Sequence, residues 1–265
     1  MSPGDSRVSI VILTEDSGAD GRATVEALVG RMLELVAPGY GRHRVDFLPS
    51  EPREEEAMRG NVWKTDGRNP VDHERRVRLL RYIARKLLLP DTFVVFHIDG
   101  DRPWSERSTS ENLAKFDRRV LTVLPQVVER GHANAPRTRR KGKGGDEPPA
   151  PVLQLGHLLL VCPFRSIEAW LYQNVRRASE ICRREHAGRH VGDIEAWEGK
   201  REELDELPAP DDVLCLKKAY NLELASHGFP TQLAYDARKS FAESVDRLSQ
   251  CGALRAALER TRGWG

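Results

Sequence analysis

The chain holds few cysteines and none at a chemically useful spacing. Cys162, Cys182, Cys215 and Cys251 are far apart and form neither a Cys-x-x-Cys pair nor a zinc-ligand pattern. They read as reduced, mostly buried thiols of a cytoplasmic protein. No apolar run approaches the roughly 18 residues of a membrane span. Met1-Ser2-Pro3-Gly4-Asp5 has neither the basic region nor the apolar run of a signal peptide. Charge of one sign is also missing, with 42 Lys plus Arg against 40 Asp plus Glu and a net charge of +2. That balance does not announce a nucleic-acid binder, although local basic clusters remain. There is no internal repeat and no Gly-x-x-x-x-Gly-Lys-Ser/Thr loop, so nothing marks the chain as an ATPase.

What is present suffices for a sizeable core. The 265 residues are 39% hydrophobic, enough for one large domain or a domain with an appendage. The stretch 92–101 (TFVVFHIDGD) opens with β-branched and aromatic residues, which suit a buried strand. It ends in Asp99 and Asp101, two carboxylates that a buried strand tolerates only at its carboxyl end. In an extended strand, residues i and i+2 face the same way, so both carboxylates are expected to aim at one point. A hard cation such as Mg²⁺ suits that point. A capping or turn pair of aspartates is the plainer reading of the same residues. His97 falls on the same face by alternation and reads either as lining the site or as a structural histidine.

Two further apolar runs end the same way. Residues 8–13 (VSIVIL) read as a buried strand followed by Glu15, and then by a helix that stops at Pro38-Gly39. Residues 158–161 (LLLV) read as another strand, followed by Ser166 as a helix cap and Glu168 in the first turn. Glu15 and Glu168 each have a plainer reading as helix-start acids favoured by the macrodipole, and for Glu168 taken alone it is the preferred one. Residues 44–49 read as a short strand, 51–70 as a long polar loop, and 71–89 as an arginine-rich helix. The arginines suit a solvated face or a phosphate backbone. Residues 111–130 read as one helix, and 133–151 as a basic, proline- and glycine-rich loop that follows a nucleic-acid backbone or is simply solvated. Beyond 188 the strand-and-turn rhythm is lost. Residues 193–210 read as an acidic exposed helix and loop, and 241–260 as a helix pair broken near Gly252.

Strands followed by helices predict an α/β fold with a mostly parallel sheet flanked by helices and a helical C-terminal extension. The strand-end carboxylates would then meet along one edge. Such a cluster repels itself unless cations neutralise it, which points to Mg²⁺ or Mn²⁺ and to phosphoryl transfer or phosphodiester hydrolysis.

A strand ending in Glu before a helix, then a hydrophobic strand ending in Asp-x-Asp, resembles the Toprim fold of topoisomerases, bacterial primases, recombination proteins and OLD-type nucleases. The segment 166–171 (SIEAWL) is similar to the Glu-Ala-Trp-Leu element of small stand-alone bacterial Toprim-like proteins, and the Lys217-Lys218 region and the closing helix resemble their tails. The resemblance implies a Toprim-like domain over 1–188 and a helical extension over 189–265 packed on it. It implies a catalytic or metal-binding role for Glu15, Asp99, Asp101 and Glu168, with Lys217 or Lys218 near a phosphate. It also implies a nuclease acting on DNA or RNA, in a bacterial defence system, with a separate ABC- or AAA-type ATPase as partner and a possible homo-oligomer. A non-catalytic subunit docked on such an ATPase is the alternative, and a small-molecule phosphotransferase or phosphatase a third. One departure stands out. The family glutamate is normally followed by glycine, whereas Asp16 follows Glu15 here, either hindering phosphate approach or adding a ligand.

Overall fold

A computed structural model describes residues 7–16, 20–133, 152–207 and 218–262. Four strands, β1 (Val8–Thr14), β2 (Val45–Leu48), β3 (Thr92–His97) and β4 (Leu158–Val161), form one sheet in the order β2-β1-β3-β4. Every pairing is parallel. The fold is therefore α/β, as strand–helix alternation requires, because parallel neighbours need a crossover between them.

Strand alternation divides the core in two. Ile10 and Ile12 of β1, with Phe93 and Val95 of β3, face one layer. Val11 and Leu13, with Val94 and Phe96, face the other. The first layer contains α1 (Gly21–Val36), α6 (Glu168–Leu171) and α7 (Val175–His186). It also contains α8 (Val191–Glu195), α9 (Asn221–Ser226), α10 (Thr231–Asp236), α11 (Ser240–Gln250) and α12 (Gly252–Glu259). Helix α1 packs directly on α9 and α11, so residues beyond 188 complete the cover of β1. The second layer holds α2 (Pro52–Arg59), α3 (Pro70–Leu87), α4 (Glu111–Phe116) and α5 (Leu124–Ala133). No described helix is long and apolar enough to cross a membrane.

Three expectations need correction. Residues 51–70 are not a long loop. Pro52 occupies the first turn of α2, where its missing N–H costs nothing, and Glu54 and Glu55 favour that helix start. A one-turn 3₁₀ segment, Val62–Lys64, follows and buries Trp63 edge-on against Phe96 at 5.5 Å. The helix expected over 111–130 is interrupted, since a π-turn at Asp117–Leu121 separates α4 from α5. Residues 193–207 are not uniformly exposed either, because Asp205 is buried. Its carboxylate accepts from the Ser240 N–H at 3.0 Å and from Ser240 Oγ at 2.7 Å. Ser240 Oγ in turn accepts from the indole N–H of Trp170 at 2.5 Å. The acid thus anchors the start of α11 to the core, a role composition does not reveal. The helices that meet there pair Trp170 edge-on with Phe241 at 5.4 Å.

Burial pushes the Asp205 carboxyl up to about 6, against the opposing bonds from Ser240. The folded state thus binds a proton more tightly than the unfolded chain, so this group's contribution to stability falls as pH rises from about 4 to about 6 and is flat above that. Asp205→Asn is expected to lack this slope, so the difference between variant and wild-type urea unfolding free energies should change by at most about 3 kcal/mol between pH 4 and 7. An unchanged pH dependence would show that Asp205 titrates normally.

Candidate functional site: an acidic cleft at the sheet edge

The strand order places a topological switch point between β1 and β3. The chain leaves β1 toward β2 on one side and returns to β3 on the other. Ligand sites of open α/β sheets lie at the carboxyl ends of strands at such a point. Thr14, His97 and Val161 are in register across β1, β3 and β4. The loops that follow them therefore open on one edge. A cleft of about 230 Å³ lies there, lined by Glu15, Asp16, Asp99, Asp101 and Glu168, together with Asn61, Lys64, Lys218 and Ile167.

Glu15 bridges the two central strands. Its Oε1 accepts the backbone N–H of Asp99 at 2.6 Å, and its Oε2 lies 2.9 Å from Lys64 Nζ. Burial pushes the Glu15 carboxyl up, while Lys64 and the Asp99 N–H pull it back down. Lys64 also lies over the Trp63 ring, 5.1 Å from its centre, so the buried indole fixes where the ammonium can reach.

Asp99 carries the greatest electrostatic load. Its Oδ1 is buried without a hydrogen-bond partner among the described residues. Its carboxyl is held well above the usual range, first by burial and then by the charges of Glu15, Glu168, Asp101 and Asp16. Four other carboxylates therefore act on one acid.

Asp99 and Asp101 share the cleft, but not by strand alternation. The strand ends at His97, and Asp101 has a left-handed backbone with φ 55°. Asparagine and aspartate tolerate that conformation better than most residues do. Asn112, on α4, fixes this turn by donating from Nδ2 to the Asp99 carbonyl at 2.8 Å and to Asp101 Oδ2. Gly100 between them is needed for space, since a Cβ would meet the Phe164 ring at 2.8 Å. Its N–H donates to the Pro163 carbonyl at 2.8 Å, and the Arg165 N–H donates to the Arg102 carbonyl at 3.0 Å, so the loops after β3 and β4 run zipped together.

Glu168 is buried at the start of α6 and accepts from Asn221 Nδ2 at 3.0 Å. The expected Ser166 side-chain cap does not form. Ile167 is the capping residue, and Ser166 contributes only its carbonyl, to the Ala169 N–H at 3.1 Å. His97 belongs to the wall behind the site. It is fully buried, its Nδ1 lies 2.9 Å from Thr14 Oγ1, and burial pushes its imidazole down to about 4, so it is neutral at pH 7. Thr14 Oγ1 also accepts the Asp16 N–H at 3.0 Å. Asp16 does not need glycine's freedom, because its backbone is not left-handed. The small residue stands opposite instead, as a Cβ on Gly21 would meet the Asp16 carboxylate at 2.8 Å.

Lys218 is exposed at the cleft rim, while Lys217 lies outside the described residues, as do the basic residues at 134–151. Lys64, Asn61 and Asn112 were not anticipated from the sequence. A buried tryptophan next to a lysine, at Trp63-Lys64, was the available signal. Trp104 and Trp170 are packing residues: Trp104 stands edge-on to Phe164 at 5.3 Å, and Trp170 is in the core.

The donor set suits a hard cation, since carboxylate oxygens are the ligands Mg²⁺ and Mn²⁺ prefer. The orphaned Asp99 Oδ1 agrees with that chemistry. As placed, however, no three His, Cys, Asp or Glu side chains among the described residues are arranged to hold one ion. Lys64 stands against Glu15, and Asn112 holds Asp101. Comparison with protein-family models, curated proteins and solved structures gives no match.

Gly100→Ala tests the crowding directly. Forcing a methyl against Phe164 is expected to destabilise the fold by about 1–3 kcal/mol in chemical denaturation. Phe164→Leu in the same chain should recover part of that loss, and no recovery would mean that the strain lies in the backbone turn.

Proposed function

We propose that this protein is a Mg²⁺- or Mn²⁺-dependent phosphodiesterase acting on nucleic acid, a Toprim-type nuclease. The observation that carries the reading is the unpartnered Asp99 carboxylate at the sheet's switch point, loaded by four neighbouring acids. Such an arrangement lowers the stability of the cation-free fold and is relieved by a cation, a trade common at active sites. The Toprim resemblance supports the nucleic-acid class. Glu15, Asp99, Asp101 and Glu168 are the residues that would hold the ion. When bound, it would neutralise phosphate oxygens and acidify a water. The chain's own contribution is positional. Glu15, fixed between the Asp99 N–H and Lys64, is placed to accept a proton at Oε2 once Lys64 swings away. Lys64 and Lys218 bring ammonium groups to the same cleft, where a substrate phosphate takes the place of Glu15 as partner of Lys64. The resemblance further supports work beside a separate ATPase in a bacterial defence system.

One observation favours the second reading, a non-catalytic subunit that docks on an ATPase. Glu15 is already neutralised by Lys64, and the carboxylates are held apart by their own hydrogen bonds. Calorimetric titration with Mn²⁺, combined with cutting assays on plasmid, single-stranded DNA and RNA, separates the two. The nuclease reading expects Mn²⁺ binding and cutting, both lost in Asp99→Ala and in Glu15→Ala. Cation binding absent from the folded wild type would sink it in favour of the docking subunit.

Two variants probe the electrostatics. Because the folded-state affinity of Asp99 for a proton is raised, its charge destabilises the fold above the ordinary carboxylate range. Asp99→Asn is therefore expected to raise Tm at pH 7 in chelator, with the gain shrinking as pH falls toward 4. Added Mn²⁺ should raise Tm of the wild type and not of the variant. Lys64→Met should bind Mn²⁺ more tightly, because a competing cation is gone, yet cut at least about tenfold more slowly. Equal affinity in both chains would mean that the lysine and the ion do not share Glu15.

A further inference from the structure

A second concave feature lies on the other side of the molecule's chemistry. Helices α3 and α5 leave between them an open groove of about 510 Å³. Its floor is apolar, made by Val77 and Ala84 of α3, by Leu88 just past its end, and by Val127 and Val128 of α5. Its rim is basic. Arg78, Arg81 and Arg85 recur at i, i+3 and i+7, one stripe along α3. Arg78 is paired with Glu74 at 2.9 Å, whereas Arg81 and Arg85 are exposed and make no ion pair among the described residues. The groove follows α3 from Glu74 to Leu88, about 21 Å or four helical turns.

The apolar surface continues past the end of the groove. Leu89 follows Leu88 and is exposed. The Gln154 N–H donates to the Leu87 carbonyl at 3.1 Å, which lays the segment with exposed Val152 and Leu155 beside the end of α3. Three of the five large exposed hydrophobic residues among the described residues thus collect at one place, which is uncommon on a surface facing only water.

We propose that this groove is the docking site for an acidic amphipathic helix of a partner protein. The apolar floor takes one face of such a helix, and the two unpaired arginines take carboxylates flanking that face. Charge decides against the chain's own basic segment, since Arg137, Arg139, Arg140, Lys141 and Lys143 have the wrong sign for this rim. Position decides against the substrate of the acidic cleft. The Arg76 guanidinium donates to the Thr65 carbonyl at 2.9 Å, so the start of α3 lies at the cleft edge beside Lys64. The end of α3 meets Gln154 just before β4 begins, so the groove runs away from the cleft and carries its exposed Arg81 and Arg85 toward the opposite sheet edge. Apolar floors also give a phosphodiester strand little to bind. The proposal does not rest on the nuclease reading.

A displayed library of 18-residue helices, randomised on all faces and selected against the full-length protein, tests the assignment. Enriched peptides are expected to carry Asp or Glu beside an apolar stripe at i, i+3, i+4 and i+7. As labelled peptides in fluorescence anisotropy, they should bind at least tenfold more weakly to Arg81→Glu/Arg85→Glu at an unchanged Tm. Arg81→Ala/Arg85→Ala, which introduces no new charge, should show a smaller loss in the same direction. Enrichment of basic or neutral peptides, or full affinity for the charge-reversed chain, overturns the proposal. So would a wild-type dimer in sedimentation that this variant dissolves, which assigns the face to a second copy. Duplex DNA binding lost in this variant and blocked by the selected peptides would assign it to nucleic acid and equally overturn it.

Discussion

The Glu15 carboxylate holds the candidate site together. It receives a backbone N–H from the loop after β3 and an ammonium from the segment after α2, while its own backbone continues β1. Three chain segments that diverge from the sheet are thereby fixed at one point. The constraint behind this is burial. An acid removed from water at a strand end must find donors, and the parallel sheet provides an N–H from the neighbouring strand's exit at the required place. Lys64 supplies the remaining charge. Once Glu15 is satisfied in this way, Asp99 is the acid left over, with one oxygen buried and no donor aimed at it.

The same economy explains which neighbours are small. Gly100 lets Phe164 close over the turn, and Gly21 leaves room for Asp16. Asn112 holds a left-handed aspartate that would otherwise be free to swing. Behind the cleft, His97 and Thr14 form a neutral hydrogen-bonded pair, so the wall adds no charge to a site already rich in it. The acidity of the cleft is concentrated in its loops, and the strands below them remain apolar.

Much of the frame was legible in the sequence because burial writes a simple pattern. Continuous apolar runs ending in acids gave β1, β3 and β4, their parallel sense, and the placement of Glu15, Asp99, Asp101 and Glu168 along one edge, while β2 was read from a shorter run. What escaped was contributed by segments whose composition misleads. Pro52 and a run of glutamates look like a loop, yet proline is a good first residue of a helix, and α2 with its 3₁₀ extension delivers Lys64. Asp205 sits in an acidic stretch that looks solvated, and only the tertiary partner Ser240 shows that it is internal. The geometry of Asp101 escaped because alternation was extended beyond the true end of the strand, into a turn where φ changes sign.

The cover of β1 bears on how the chain folds as it is made. Val8, Ile10 and Ile12 share a hydrophobic cluster with Leu254, Ala257 and Leu258, and the Gly41 N–H donates to Thr261 Oγ1 at 2.8 Å. Strand β1 therefore waits until α12 has been made before its face is closed. Contacts of such long sequence separation slow folding, and they leave an apolar sheet surface open during synthesis. Helices α11 and α12 thus act as a late seal on β1, and closure of that face of the sheet is tied to their synthesis.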